Sequence, residues 1–413
     1  MTACSSEIQD CGSPWADSFK TFKVILPWVN ATAQCELQRQ YSLFSGHFCV
    51  ILTIIMQVFR GFHHPRLAEA CALTIGNFDG VHRGHQAMLA LLRSEAEHRG
   101  VPSCVMTFEP HPRDFFAQRM GKPELAPLRI ATLRDKLSEL HRCGVDQCVI
   151  LPFNAAFASQ APEAFIQDVL LDGLGVRYVL VGDDFRFGAK RAGDYDMLVT
   201  AGETHGFDVA RMNSYEISDP RPGMRGGPSP AMPPFRHGRL RVSSSAVREV
   251  LGRGAMNEVA QLLGRPYAIS GHVVKGAQLG RNLNCRTLNI RFRHDKPAVQ
   301  GIFVAQVIGL DAQPLPAVAN LGVRPTLDAD DVNGGQVLLE THCLHWPDHL
   351  GPDGGYGKII RVELLHKLHD ERKYEGLEAL QQGIAQDCED ARLWFTQLPS
   401  HAHTRRQTTR DRI

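Results

Sequence analysis

Short apolar runs alternate with helical patterns in the part of the chain that follows residue 70. Four runs have the length and composition of buried parallel strands, and they lie at 71–75 (CALTI), 102–108 (PSCVMTF), 146–151 (DQCVIL) and 177–182 (RYVLVG). Apolar residues recur at helical spacing between these runs, over 84–98, 132–143 and 162–174. This alternation predicts an open, doubly wound α/β sheet of the Rossmann-like type, which binds ligands at the carboxyl ends of its strands.

The hydrophobic period changes after residues 264–266 (GRP). Strand-like segments separated by glycine, proline and aspartate turns follow, and they read YAISGHVVKG, GIFVAQVIG, PAVANLG, QVLLETHCL and KIIRVELLHKL. A set of this kind predicts an all-β barrel of about six strands. One helix is predicted over 374–395, and its apolar stripe consists of Leu377, Leu380, Ile384, Cys388 and Ala391. The predicted fold class is therefore a doubly wound α/β domain followed by an all-β barrel with a C-terminal helix.

The same patterns set the expected boundaries. Residues 56–264 should form the α/β domain and residues 265–397 the barrel domain, since a chain of 413 residues is too long for one typical core. Residues 219–238 are a proline- and glycine-rich insertion, expected to be a surface loop. Residues 1–55 lack sustained periodicity and are expected to be a disordered or non-native extension, and the polar tail 398–413 is expected to be disordered.

Composition narrows the choice of partners and compartment. The chain is 43% hydrophobic and 22% charged with a formal net charge of +1, which is typical of a soluble globular protein and disfavours binding to nucleic acid or to a membrane. The apolar run at 48–56 is too short to span a bilayer and has no basic region before it, as a secretory signal would. The eleven cysteines are scattered singly, which favours free thiols in the cytoplasm over a disulfide framework or a zinc site.

The segment Gly76–His85 (GNFDGVHRGH) follows a predicted strand directly and opens a predicted helix. Backbone N–H groups at a helix N-terminus, with glycines that allow close approach, form an anion site suited to a triphosphate. His82 and His85 are three residues apart and therefore face the same side of the first helical turn. Both rings could stabilise charge that develops on an α-phosphate and a leaving pyrophosphate, which indicates nucleotide transfer from ATP. The alternative is that the two histidines merely cap a surface helix.

The segment 241–249 (RVSSSAVRE) offers a second wall for such a site. Its serine run, which includes Ser244 and Ser245, is typical of a helix N-cap and leaves backbone donors and hydroxyls free. Arg241 and Arg248 are seven residues apart, or two helical turns, and could grip phosphates from one side. Taken alone, the segment could equally be an ordinary capped surface helix.

The chain resembles the family of bifunctional riboflavin kinase/FAD synthetases (FMN adenylyltransferases) of bacteria. The resemblance covers about residues 57–395 and rests on GNFDGVHRGH, TFEPHP (107–112), VGDDFRFG (181–188) followed by Arg191 and Gly193, and RVSSSAVRE. It implies a catalytic role for His82, His85 and Arg248. It further implies that ATP contacts Gly76, Asn77, Phe78, Asp184, Arg241, Ser244 and Ser245, where Ser245 stands in place of the usual threonine.

Two short segments of the α/β half allow more than one interpretation. The pair Asp183-Asp184 at a strand end could bind Mg²⁺ through oxygen ligands, and a capping or turn role is equally plausible from the residues alone. Pro110-His111-Pro112 makes a rigid turn at the end of another strand. His111 could reach the flavin side of the site or serve the turn only.

The β half resembles the riboflavin kinase barrel through GAQLGRNLNCRTLNI (276–290), GVRPTL (322–327), LLETHCL (338–344) and residues 357–380. The resemblance implies that Thr287 and Asn289 hold Mg²⁺ and that Glu340 is the general base. The turn with Gly276, Gly280 and Arg281, next to Lys275, is a candidate phosphate cradle in a chain without a Walker A sequence. Arg286 and Leu288 depart from the proline and alanine of the family pattern. Arg361 and the C-terminal helix are expected to border the flavin pocket.

The resemblance therefore implies two ATP-dependent reactions. The barrel would phosphorylate riboflavin to FMN, with Mg²⁺ as cofactor and ATP as co-substrate, and the α/β domain would transfer AMP from a second ATP to FMN. The expected partners are riboflavin, FMN and ATP. Two alternatives stay open: a transferase of the same HxGH type that uses another acceptor, and a monofunctional transferase whose barrel has lost its kinase activity.

Overall fold

In the computed structural model, residues 56–218, 239–275, 286–292, 296–323, 337–351 and 353–397 are described. The expectations for 1–55, 219–238 and 398–413 lie outside these ranges, as do Gly276, Gly280 and Arg281. The described chain from Met56 onward belongs to one compact unit. None of the described helices is both long enough and apolar enough to cross a membrane.

A parallel sheet of six strands forms the first half. Its strands are β1 Gln57–Arg60, β2 Cys71–Ile75, β3 Ser103–Glu109, β4 Gln147–Pro152, β5 Val176–Gly182 and β6 Asp208–Met212, in the spatial order β1-β4-β3-β2-β5-β6. The four predicted strands are confirmed to within one residue, because β2–β5 are buried on both faces and read as continuous apolar runs. The edge strands β1 and β6 are partly exposed and partly polar, and the pattern did not predict them.

Helices connect these strands and continue the chain after β6 and the short strands that follow it. They are α1 Arg83–Arg99, α2 Pro112–Arg119, α3 Leu133–Arg142, α4 Ala155–Ala158, α5 Pro162–Ala164, α6 Tyr195–His205, α7 Ser244–Gly252 and α8 Met256–Leu263. The helices predicted over 84–98 and 132–143 are confirmed, with His82 and Thr132 as their N-caps. The helix predicted over 162–174 consists of α5 and a π-helix, Phe165–Leu171. Helices α2, α4 and α6 were not predicted.

The connectivity fixes the place where a ligand can enter the sheet. From β2 the chain moves to β3 and β4 on one side, and then returns to β5 and β6 on the other. The reversal leaves a crevice between the carboxyl ends of β2 and β5, which is the general ligand site of open α/β sheets. The segments after β2 and β5 are the predicted histidine loop and the Asp183-Asp184 turn.

The second half is a closed antiparallel barrel of six strands, as the sequence predicted. Its strands are β9 Tyr267–Val274, β10 Leu288–Phe292, β11 Gly301–Ile308, β12 Leu315–Val323, β13 Val337–Cys343 and β14 Ile359–His369, in the order β10-β13-β12-β11-β14-β9. Alternate side chains fill the interior, and the apolar cluster they form continues into α7 and α8 of the first half. A separate ribbon joins β7 Glu216–Ser218 to β8 Arg239–Arg241.

The C-terminal helix α9, Leu377–Gln397, confirms the predicted element but only part of its stripe. Cys388 and Ala391 are buried, whereas Leu377 is 61% exposed. His369 of β14 contacts Asp387 of this helix at 2.8 Å. The helix is therefore fixed to the barrel along its second half.

Helix α3 connects the two halves through polar contacts. Asp135 is buried and accepts a hydrogen bond from the backbone N–H of Ser270 in β9, at 3.1 Å. Nearby, the backbone N–H of Arg129 donates to the carbonyl of Lys296, and the N–H of Ala298 donates to the carbonyl of Arg129. Backbone bonds of this kind fix the position of the barrel against the α/β half.

Candidate active sites

The loop between β2 and α1 has an unusual backbone. Phe78, Gly80 and Val81 have φ angles of 47°, 85° and 41°. A positive φ is uncommon outside glycine and is a genuine outlier for a β-branched residue such as valine. The loop is kept in this shape by its surroundings, because Phe78 and Val81 are almost completely buried in the core behind it. The strained turn ends at His82.

The two predicted catalytic histidines lie face to face. The rings of His82 and His85 are stacked with centroids 3.7 Å apart. Nδ1 of His82 accepts a hydrogen bond from the backbone N–H of His85, so that His82 is the N-cap of α1. The capping interpretation is thus correct for His82, but the ring also lines a cavity. Gly84 allows the two histidines to pack closely, because a Cβ there would lie 3.2 Å from ring atoms of His82 and would displace the ring slightly.

Both imidazoles are neutral near pH 7. Burial, the largest cause, lowers the pKa of His82 to about 4 together with the charges of Arg265 and Arg248, while Asp79 opposes the shift. Burial, the neighbouring His82 and the Lys136 ammonium hold the pKa of His85 well below its usual value. Since Nδ1 of His82 is the acceptor in its cap, the proton of this ring is on Nε2, which makes Nε2 a hydrogen-bond donor.

Helix α7 forms the second wall, as the sequence predicted. Ser243 is its N-cap, and the hydroxyl of Ser244 donates to the carbonyl of Asp79 at 3.0 Å. The guanidinium of Arg248 contacts the Asp79 carboxylate at 2.6 Å and the carbonyl of Leu128 at 2.7 Å. Asp79 therefore links the histidine loop to α7.

Asp79 makes four polar contacts and is almost completely shielded from water. Its side chain is 1% exposed and also accepts from the backbone N–H groups of Ile130 and Ala131, at 3.4 and 3.2 Å. A carboxylate in this position fixes Arg248 in one orientation. The sequence motif contains Asp79, but its spacing did not show that this residue, rather than a neighbour, would hold the arginine.

The third side of the site comes from the end of β5 and from β8. Asp183 accepts hydrogen bonds from the Ser214 hydroxyl at 2.5 Å and from Arg241 at 3.2 Å. These bonds, the serine first, lower the pKa of Asp183. Asp184 is exposed, and its carbonyl accepts from Arg191. Asp183 is thus engaged by protein donors, which supports the turn interpretation for this residue.

One cavity of about 380 Å³ brings these walls together. The predicted residues that line it are Asn77, His82, His85, Asp184, Arg241, Ser244, Ser245 and Arg248. Gly76 and Phe78 are not among its lining residues, and Phe78 supports the loop from the core. Asp79, Arg113 and Ser214 also line the cavity and were not named from the sequence. The short sequences around Arg113 (PHPRD) and Ser214 (NSY) are too common to indicate a site.

His111 is also part of the cavity lining. Its Nδ1 accepts from the backbone N–H of Arg113 and caps α2, and burial lowers its pKa to about 3. The ring therefore caps a helix and also lines the cavity, so it does not serve the turn alone. Its reach toward the flavin side stays a prediction. Its proton is on Nε2 for the same reason as in His82.

In the barrel, three polar residues form a row across adjacent strands. Asn289 of β10 is paired with Glu340 of β13, and Glu340 is paired with Asn320 of β12. Leu339 belongs to the interior cluster, so Glu340 and its row face the outer side of the barrel. Thr287 lies just before β10, two residues from Asn289. The pairing of the strands therefore brings Asn289, predicted as a metal ligand, next to Glu340, predicted as the base.

The row has the donor set expected for Mg²⁺. Within the described ranges, Oδ1 of Asn289 and Oδ1 of Asn320 are buried and have no hydrogen-bond partner. Amide and hydroxyl oxygens are suitable ligands for this ion, which commonly keeps water and substrate phosphates in its shell. The residues thus fit the cation. The described chain contains no cluster of three or more His, Cys, Asp or Glu side chains suited to a metal.

Arg361 lies elsewhere than expected. Its guanidinium contacts Glu139 of α3 at 2.9 Å and Glu363 at 3.1 Å, and the residue is 9% exposed. The expectation that Arg361 borders a flavin pocket is therefore wrong, because this strand face is covered by the α/β half. Lys275 has its ammonium 5.8 Å from the ring centre of Tyr356, and its neighbours from 276 to 285 lie outside the described residues.

Two family models match different parts of the chain. The model of the FAD synthetase family matches residues 64–221, and the model of the riboflavin kinase family matches residues 263–395. The bifunctional riboflavin kinase/FMN adenylyltransferase of Escherichia coli K12 is 40% identical over 342 residues, which cover 82% of this chain and 98% of the relative. The chain belongs to this bifunctional family.

Other members of the bifunctional family and one solved structure are also similar to this chain. Proteins of the same name from Pseudomonas fluorescens and Haemophilus influenzae are 39% and 36% identical, over 97% and 99% of their lengths. A crystal structure named as a macrolide-efflux protein from Streptococcus pneumoniae overlaps 83% of this chain and 99% of its own, with a TM-score of 0.59 and 21% identity. At that identity the likeness is evidence of a shared fold alone.

Proposed function

We propose that this chain makes FAD from riboflavin in two steps, with the phosphoryl transfer in the barrel and the adenylyl transfer in the α/β domain. The observation that carries the second step is the cavity of about 380 Å³ at the strand crevice, where two stacked neutral histidines meet Arg248 and the N-terminus of α7. Membership of the bifunctional family supports both steps.

In the adenylyl transfer, an oxygen of the FMN phosphate attacks the α-phosphorus of ATP. A new phosphorus–oxygen bond forms, the bond from the α-phosphorus to the bridging oxygen breaks, and pyrophosphate leaves with that electron pair. Nε2–H of His82 donates to the phosphate oxygens on which charge develops, and Arg248 neutralises part of that charge. No covalent enzyme intermediate is needed, because positioning and electrostatics are sufficient for this class of reaction.

In the phosphoryl transfer, a riboflavin hydroxyl attacks the γ-phosphorus of ATP and ADP leaves. Glu340 accepts the hydroxyl proton as general base. Thr287 and Asn289 would hold Mg²⁺, which shields the charge of the ATP phosphates when it is bound. Asn320, on the other side of Glu340, is placed to orient the acceptor or the ion.

The test separates the two steps with two variants of the full chain. Purified enzyme is incubated with riboflavin and MgATP, and the flavins are resolved by chromatography. His85→Ala should accumulate FMN without FAD. Glu340→Ala should form no FMN but should still convert added FMN to FAD.

Three results would change the proposal. If either variant lost both activities while still folded, the two-site assignment would be refuted. Wild-type enzyme that makes FAD only from added FMN would identify a monofunctional transferase with an inactive barrel. Wild-type enzyme that uses neither flavin, but adenylylates another phosphate acceptor, would identify a different HxGH transferase.

A further inference from the structure

Arg265 joins the end of α8 to the strained histidine loop. One of its terminal nitrogens donates to the carbonyl of Gly80 at 2.7 Å. The other donates to the carbonyls of Val81 and Leu263, each at 3.0 Å. The residue is not among those that line the transferase cavity, so it has no contact with substrate there.

Two of the three carbonyls that Arg265 binds belong to residues with positive φ. Gly80 and Val81 have φ angles of 85° and 41°, and His82 follows immediately. A valine in this region costs on the order of 1–3 kcal/mol and persists only where its surroundings hold it. Gln86 also stabilises this conformation, since its side-chain amide donates hydrogen bonds to the carbonyl of Val81 at 2.8 Å and to that of Leu263 at 2.7 Å.

The guanidinium is itself fixed by a chain of ion pairs that reaches the barrel. Nε of Arg265 contacts Glu139 of α3 at 3.0 Å, and the other oxygen of Glu139 contacts Arg361 of β14 at 2.9 Å. Arg361 contacts Glu363, whose second oxygen accepts from Gln306 of β11 at 2.7 Å. Five side chains therefore connect the histidine loop to two strands of the barrel.

A buried network of this kind is poor evidence for stability alone, because desolvation of the charges offsets most of their attraction. Its geometry is specific, since Arg265 uses the planar fork of its guanidinium to serve two loop carbonyls and one carboxylate at once. A lysine ammonium could not reach all three groups in that arrangement.

We propose that Arg265 is a positioning residue for adenylyl transfer, which holds the loop Gly76–His82 in the conformation that presents His82 and which is anchored to the barrel through Glu139 and Arg361. This inference rests on the proposed function of the α/β cavity. It assigns to the barrel a second task, as the support on which the transferase loop is built.

The expected effect is on turnover in one half of the enzyme. A misplacement of about 1 Å can reduce a rate about a hundredfold. Arg265→Met should therefore reduce kcat for FAD formation by about 10- to 100-fold, with a smaller change in KM for ATP. FMN formation in the same preparation should stay within about twofold of wild type, which also reports that the barrel is folded.

Arg142→Met is the matched control. Arg142 contacts the same carboxylate, Glu139, at 3.5 Å, but its side chain is 56% exposed and has no bond to the loop. This variant loses the same charge and should keep both activities. If Arg265→Met does not fold, Arg265→Lys and Glu139→Gln replace it in the assay. Each should lose less FAD formation than is expected for Arg265→Met and should leave FMN formation unchanged.

A purely structural role is distinguished by hydrogen exchange. Arg265→Met should increase exchange in peptides that cover residues 76–88 more than in peptides of β10 or β13, whereas general destabilisation would raise both. Wild-type enzyme that forms FAD, together with Arg265 variants that form it at the same kcat, would overturn the inference and leave the proposed function intact. Wild-type enzyme that forms no FAD would overturn the proposed function itself.

Discussion

Replacing Asp79 with Asn should separate the stability of the α/β domain from its catalysis. The carboxylate is 1% exposed and 2.6 Å from Arg248, so the substitution keeps the shape and removes the charge from a buried ion pair. Breaking such a pair costs on the order of 3 kcal/mol. For a domain of this size that is roughly 6–12 °C in Tm. Arg248 would also lose its fixed orientation toward the cavity.

Asp114→Asn is the matched comparison. Asp114 forms a similar ion pair with Arg129 at 2.7 Å, with side-chain exposures of 19% and 5%, and neither residue lines the cavity. Both variants should lower the Tm of the enzyme. Only Asp79→Asn should reduce kcat for FAD formation, by about 10-fold or more, as expected for a weakened electrostatic contact in a phosphoryl-transfer site.

Steady-state rates for FMN and FAD formation, measured well below either Tm, provide the check. FMN formation should be unchanged in both variants, since Glu340 and Asn289 lie in the barrel. If Asp79→Asn and Asp114→Asn lost the same activity for the same loss of Tm, the role given to Asp79 in orienting Arg248 would be refuted.

Three further results are expected. Burial lowers the pKa of His82 in the folded state to about 4, below its ordinary 6.5, so the unfolded chain binds the proton at higher pH than the folded chain does. The contribution of His82 to the free energy of unfolding should therefore fall by up to about 3 kcal/mol as the pH drops from 6.5 to 4. Urea unfolding of His82→Gln should show a shallower fall over that window, and the exposed His98→Gln should match wild type. Asn289→Ala should raise the Mg²⁺ concentration for half-maximal FMN formation about tenfold without changing FAD formation. Metal titrations of FMN formation that coincide for the variant and the wild type would contradict this. Asn320→Leu removes a buried amide oxygen without a partner among the described residues, so Tm should rise while kcat for FMN formation falls; a lower Tm would count against this.

The sequence predicted best those elements that are buried on both faces. Strand β2 was bounded correctly at 71–75 because all five residues are buried and apolar. Strand β6 was missed because its residues are partly exposed and mix Asp and Arg with Val and Met. The predicted helix over 162–174 was wrong in detail, since a change to π-helical bonding leaves no signature in apolar spacing.

For the site, spacing within one segment was informative and contacts between segments were not. His82 and His85 are three residues apart, and their stacking follows from the helical turn. Asp79 and Arg248 are separated by 169 residues, and Arg265 and Val81 by 184. Such pairs depend on how α7 and α8 return to the loop, and a single sequence carries no signal for that distance.

Both candidate sites combine polar groups that the protein satisfies with buried polar atoms that have no partner among the described residues. Around the transferase cavity, Asp79, Arg248 and Asp183 are bonded to protein groups, whereas Oδ1 of Asn77 and Nδ1 of His85 are buried without a partner in the described ranges. In the barrel row, the side-chain oxygens of Asn289 and Asn320 have no partner in the described part of the chain and are available to an ion or to ATP. An unsatisfied buried oxygen costs about 1–3 kcal/mol, and a ligand that binds it recovers that free energy. MgATP with riboflavin and ATP with FMN should therefore each raise the Tm of the enzyme, because each set of ligands reaches buried polar atoms that the protein leaves without a partner. An unchanged Tm with either set would contradict this reasoning for that site.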